Sequence, residues 1–302
     1  MDEKEDLLRG ENRTDLALEA GERLQNENAV PKGLRVETLH AGQAGAEVTR
    51  AYVESREAAR RMGKPMGVYI TIEAPDLAGE DKGYHREVSG LLSRQIRELL
   101  PKRRDREELL VVGLGNHAVT ADALGPRTID HLAVNRHLLS LFGEGVKEDG
   151  FTVLCAIEPG VMAKTGIETA EVVASITARL KPDAVLVLDS LAAGSVNRLY
   201  RTIQISNTGI APGSGVGNHR NAINQETLGV PVIAVGIPMV VDAATIVRDA
   251  FRGAGRRGGE ELNRGDFALQ KFQNMYVTTK EIDEMTERLS FTLSEAINML
   301  AG

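Results

Sequence analysis

An α/β fold, with helices on both sides of a mostly parallel sheet in a three-layer α/β/α arrangement, is what this chain predicts. Three observations carry the prediction. Apolar, β-branched runs recur at Met66–Ala74, Leu109–Val112, Phe151–Ile157, Ala184–Leu188 and Val230–Ile237. Stretches with helical spacing of apolar residues lie between or after them. Ala184-Val185-Leu186-Val187-Leu188 is uniformly apolar, as a central parallel strand buried on both faces must be.

The elements follow in order. Residues 1–15 carry six acids and three basic residues and read as a tail without a core of its own. A helix then starts near residue 16, with Thr14 or Asp15 as its N-cap. Leu34–Leu39 suits a strand, 48–64 mixes strand and helix signals, and Met66–Ala74 is a strand. From Tyr84 to Leu100, Val88, Leu91, Leu92, Ile96 and Leu99 fall at helical spacing. The charged stretch 102–108 is a connection. A strand at 109–112 breaks at Gly113-Leu114-Gly115-Asn116, and a helix runs from Asp122 to about Leu141. Phe151–Ile157 is a strand, Ile167–Leu180 a helix, and Ala184–Leu188 a strand ending at Asp189. Arg201–Ser206 alternates like a half-buried or edge strand. A glycine-rich loop occupies 209–220, a strand 230–237 closes on Pro238, and a short helix covers 242–251. After a glycine- and arginine-rich stretch, Thr278 and Glu281 form a capping box for a C-terminal helix.

Composition narrows the function. The 302 residues allow one large α/β domain or two modest ones, and 42% hydrophobic residues can fill a core. A net charge of −7 argues against a broad nucleic-acid footprint. The single Cys155 excludes an intramolecular disulfide and suits a reducing compartment. Inside T-V-L-C-A-I it reads as packing. No apolar run is long enough to span a membrane, and the acidic, polar N-terminus is unlike a signal peptide. A cytoplasmic protein without membrane partners is expected.

Two acids follow strands in comparable positions, Asp122 and Asp189. Strand C-terminal ends in an open α/β sheet face one crevice. Two carboxyls brought together there share a proton, so one serves as acid and the other as base toward water. That is a hydrolase site without a metal or other cofactor. The bland alternative for Asp122 is a helix N-cap. Gly113-Leu114-Gly115-Asn116-His117-Ala118 matches a loose dinucleotide pattern, but no acid follows at the required distance. The backbone of Gly113, Gly115 and Asn116, or of Gly213, Gly215 and Gly217, offers N–H groups for an oxyanion or a peptide. His117 and His219 sit in these two loops. No histidine spacing forms a zinc motif, and Ser190 lacks a nucleophile elbow.

Several blocks together resemble one family: VVGLGNHAVTADALGPRTIDHL, EPGVMAKTGIET, VLVLDSLAAGSVNR, TIQISNTGIAPGSGVGNHR and ETLGVPVIAVGIPMVVDAATI. They are similar to the germination proteases of spore-forming bacteria, endopeptidases that begin breakdown of small acid-soluble spore proteins. The resemblance runs from about residue 13 to the C-terminal helix. It implies a fold similar to hydrogenase maturation endopeptidases and an atypical aspartic mechanism on Asp122 and Asp189, with no required metal. It also implies a zymogen. The match at R-T-D-L-A-L-E-A places an autocatalytic cut between Asp15 and Leu16, making residues 1–15 a propeptide and 16–302 a single endopeptidase domain. A homotetramer in the forespore or spore core is the implied state. Three features depart from the family pattern: Gly194 in place of a basic residue, His117, and a short 252–276 segment. Two rival readings remain: a metal-dependent maturation endopeptidase with Glu158 and His117 as extra ligands, and a non-catalytic module that binds anions or peptides.

Overall fold

The structure is a computed structural model that describes residues 14–27, 29–41, 45–101, 107–138, 152–211, 221–247, 272 and 275–301. The chain starts with α1 (Ala17–Asn26), β1 (Leu34–Ala41), β2 (Ala46–Val53), α2 (Arg56–Met62), β3 (Gly67–Glu73) and α3 (Lys82–Leu99). Next come β4 (Glu107–Gly113), α4 (Leu124–Asp130), β5 (Thr152–Ile157), the single turn α5 (Met162–Thr165), α6 (Thr169–Leu180) and β6 (Ala184–Ala193). The last elements are β7 (Thr202–Ser206), α7 (Gln225–Leu228), β8 (Val232–Asp242), β9 (Tyr276–Val277) and α8 (Ile282–Ala301).

The strands form one sheet in the order β1-β2-β3-β7-β8-β6-β4-β5, with β9 added to β8. The sheet is mixed, where the sequence suggests mostly parallel pairing. β8, β6, β4 and β5 pair in parallel, whereas β1, β2, β3, β7 and β8 pair antiparallel. The parallel half is legible because its strands are apolar on both faces. Leu109, Val111, Leu186, Leu188, Ile233 and Val235 enter one core with α3 and α8. Their neighbours Leu110, Val112, Val185, Val187 and Val232 enter a second core with Ala170 and Val173 of α6. Period-two alternation between two apolar cores reads as an unbroken apolar run. The antiparallel half carries polar residues, and β7, expected half-buried or at an edge, lies between β3 and β8 with most of its side chains buried.

Several boundaries differ for local reasons. The helix expected from Asp122 to about Leu141 ends at Asp130, short of the residues beyond 138 that lie outside the described set. Asn298 of α8 takes over its end: Oδ1 accepts from Ala133 N–H and Nδ2 donates to the His131 carbonyl. Asn135 then brackets β5, accepting from Leu154 N–H at 2.8 Å and donating to Thr152 O at 3.2 Å. The N-cap of α1 is Leu16, not Thr14 or Asp15. The Thr278–Glu281 capping box is replaced by a tertiary bond, because Thr278 Oγ1 donates to Met239 O at 2.8 Å. β8 does not stop at Pro238. It continues to Asp242 through a bulge opposite Leu191 and Ala192, the kind of irregularity where a strand tolerates proline.

Candidate active site

Asp189 lies within β6 rather than at its end. It pairs with Gly236, and the strand continues four residues beyond it. β4 accompanies β6 only as far as Gly113 opposite Leu188. From Asp189 onward one edge of β6 has therefore lost its parallel neighbour. Asp189 is 7% exposed, and its carboxylate accepts from the Ser190 N–H at 2.9 Å.

Asp122 arrives from the other side of the break. The Leu114 N–H donates to Leu188 O at 2.8 Å, and the Asn116 N–H donates to Asp122 O at 3.0 Å. Those bonds fold 113–122 back against the middle of β6, and a short 3-10 turn, Thr120–Asp122, presents the acid. The helix-cap reading of Asp122 does not hold, since Ala123 occupies the N-cap of α4 without a side-chain cap. Glycines make the crossing close. A Cβ on Gly113 would lie 2.6 Å from Gly125 O, and Gly115, at φ +120°, would carry one 1.9 Å from Asp122 O.

Both acids line one cavity of about 480 Å³, and Asp15 lines it with them. The Asp15 N–H donates to Ala192 O at 3.0 Å, and the Ala192 N–H donates to Asp15 Oδ2 at 2.9 Å. Residue 15 thus docks on the stretch of β6 that β4 leaves open. Leu16 is fully buried, and its N–H donates to Thr14 Oγ1 at 3.0 Å. Two side chains absent from the sequence expectations reach the same segment. Lys64 Nζ and Gln204 Nε2 each donate to the Asp15 carbonyl at 2.9 Å. The Gln204 Oε1 accepts from the Ala17 N–H. Gln204 was discoverable as the polar interruption inside T-I-Q-I-S, whereas nothing local marks Lys64.

A charge cluster holds the segment from behind. Glu19 pairs with Thr14, accepts from Gly194 N–H at 2.8 Å and faces Arg198 at 3.5 Å. Arg198 also bonds Glu22 at 2.7 Å and Glu73 at 2.6 Å. A Cβ at Gly194 would stand 2.8 Å from Glu19 Oε2, so a glycine here leaves room for this carboxylate. Burial raises the Glu19 carboxyl above its ordinary value, against the opposing effects of Thr14, Gly194 and Arg198. Burial likewise lowers the Lys64 ammonium, with Asp15 and Glu19 working against the shift. The phenol of Tyr69, also on the cavity wall, is pushed up to about 12 by burial.

The other candidates fall as follows. Gly115 lines the cavity, and Gly113 is buried behind it at the end of β4. The N–H of Asn116 is engaged by Asp122 O. Gly213, Gly215 and Gly217, with His219, lie outside the described residues. His117 is exposed, faces Asp130 at 3.2 Å and does not line the cavity. Glu158 does not line it either. Among the described residues no three His, Cys, Asp or Glu side chains are grouped as a metal site. Ser190 Oγ is buried on the cavity wall with no partner among the described residues. Cys155 is half-buried with its sulfur 3.6 Å from Leu109 O.

Comparison with known proteins identifies a family. The family model described as germination protease matches residues 12–287. A germination protease of Clostridium tetani is 45% identical over 293 residues, covering 96% of this chain and 86% of that protein. One from Caldanaerobacter subterraneus subsp. tengcongensis is 40% identical over 311 residues, covering 95% and 93%. One from Bacillus cytotoxicus is 40% identical over 290 residues, covering 95% and 78%. The chain belongs to the germination protease family.

Proposed function

We propose that this peptidase of spore germination is an endopeptidase of atypical aspartic type acting on small acid-soluble spore proteins. Asp122 and Asp189 are its acid and base. One carboxylate takes a proton from water as the water attacks the scissile carbonyl, and the other gives a proton to the leaving amine. The observation that carries this reading is the shared cavity, with one acid on β6, the other on the turn after β4, and the chain's own residue 15 held against β6. In the same proposal the chain is made as a zymogen and residues 1–15 are a propeptide removed by a cut between Asp15 and Leu16. Residues 16–302 are then the working α/β domain, three-layered and akin to hydrogenase maturation endopeptidases, assembled as a homotetramer in the forespore or spore core. No helix among the described residues is long and apolar enough to cross a membrane.

The test is direct. Asp122→Asn and Asp189→Asn keep the side-chain shape and remove the proton chemistry. Each is expected to abolish cleavage of a purified small acid-soluble spore protein and to leave the circular-dichroism melt close to that of the parent chain. Turnover near the parental rate in either variant refutes the pair.

A further inference from the structure

Two donors converge on one carbonyl in this cavity, and that carbonyl belongs to the bond proposed for cleavage. Lys64 Nζ and Gln204 Nε2 both stand 2.9 Å from Asp15 O. An oxyanion hole places donors about 2.7–3.1 Å from where the oxyanion will sit, and two donors already on the ground-state carbonyl oxygen stand next to that position. Gln204 also grips the far side of the bond, since its Oε1 accepts from the Ala17 N–H. Its amide therefore straddles the Asp15–Leu16 peptide. Ala192 fixes the near side through both of its backbone groups. We propose that Lys64 and Gln204 are catalytic residues, the oxyanion hole for peptide hydrolysis, and that the chain's own 15–16 bond occupies the place of a substrate bond. This rests on the aspartate pair and on the proposed cut.

The step balances as follows. Water oxygen bonds to the Asp15 carbonyl carbon while one aspartate takes the water proton. The carbonyl electron pair moves onto oxygen, where the ammonium of Lys64 and the amide of Gln204 hold it. The pair then returns, the carbon–nitrogen bond breaks, and the Leu16 nitrogen takes the bonding electrons with a proton from the other carboxyl. The products are a carboxylate at Asp15 and an amine at Leu16. Burial supports the assignment. Lys64 comes from the turn after α2, where desolvation weakens its hold on its proton. An ammonium short of water gains more from a neighbouring oxyanion than one in bulk solvent. Neither donor depends on the loop 113–116, whose Leu114 and Asn116 N–H groups are bound internally.

A purely structural clasp, one that only anchors the N-terminal segment, makes the opposite prediction, and the two separate cleanly. The full chain is followed by intact mass for removal of residues 1–15. The same chain is assayed in trans with a synthetic peptide of residues 10–20. Lys64→Met and Gln204→Glu are expected to slow both reactions by about 10²–10³-fold, the loss typical of one oxyanion donor. In trans the loss falls on kcat, with KM changed only a few-fold. Lys64→Arg keeps a charged donor and is expected to recover part of the rate. The proposal is overturned if either variant cleaves the peptide at the parental kcat or faster, the result of releasing a clasp. Asp122→Asn and Asp189→Asn run alongside. Cleavage that survives in them, or a cut mapped away from 15–16, refutes the underlying reading instead. Thermal melts within a few degrees of the parent establish that Lys64→Met and Gln204→Glu are folded.

Discussion

Adding one carbon to Gly115 is expected to damage the site far more than the fold around it. The Cβ of Gly115→Ala would lie 1.9 Å from Asp122 O, against a closest approach of 3.0 Å for real Cβ atoms. The difference requires an opening of about 1.1 Å. The clashing atom is backbone, so no side-chain rotation relieves it. The φ of +120° adds about 1–3 kcal/mol for a residue with a side chain. Loosening the Asn116 N–H to Asp122 O bond costs about 1 kcal/mol. A total destabilisation of about 2–4 kcal/mol follows, read by urea unfolding. The catalytic cost is separate. Asp122 is the residue displaced, and a misplacement of about 1 Å costs on the order of 10²-fold in rate. Cleavage of a spore-protein substrate by the folded fraction measures it. Gly166→Ala is the control, with a positive φ of +72° but open space at the Cβ. It is expected to lose about 1–2 kcal/mol and no turnover. The reasoning is refuted if Gly115→Ala stays within twofold of the parental rate and within about 1 kcal/mol of its stability.

Two further outcomes concern titratable groups. Burial raises the Glu19 carboxyl above 4.5, so the folded chain binds that proton more tightly than the unfolded chain. Its contribution to stability is full below 4.5 and declines as pH rises through the raised value. Glu19→Gln is expected to flatten that part of the melting-temperature profile between pH 4 and 7, and an unchanged slope counts against it. Burial also raises the Cys155 thiol, ahead of the opposing effect of Arg136. The thiolate is the reactive form, so Ellman's reagent at pH 8 is expected to modify Cys155 more slowly than glutathione, and an equal rate contradicts the assignment.

The parallel half of the sheet was legible because packing between two apolar cores writes itself directly into sequence. Leu109–Val112 and Ala184–Leu188 have no polar face to confuse the reading. The antiparallel half was not, because β7 carries Gln204 into the cavity and so looks half-exposed. The early end of α4 was invisible because Asn298, more than 160 residues away, supplies its bonds. Within the site, the two aspartates stood out as acids following apolar runs, although Asp189 proved to be inside its strand. Lys64 carries no local signal at all. It matters only because the fold brings the turn after α2 against residue 15.

β6 sets a length. Asp189 and the docking residue Ala192 are three steps apart on a single strand, about 10 Å at roughly 3.3 Å per residue. The acid and the edge that receives residue 15 thus lie on one strand, with the β8 bulge opposite Leu191 and Ala192 between them. A backbone laid along that edge meets the acid at a fixed offset whatever side chains it carries. Lengthening or shortening the strand by one residue shifts that offset by about 3.3 Å. The spacing between the buried acid and the edge that holds residue 15 is therefore set by the sheet itself.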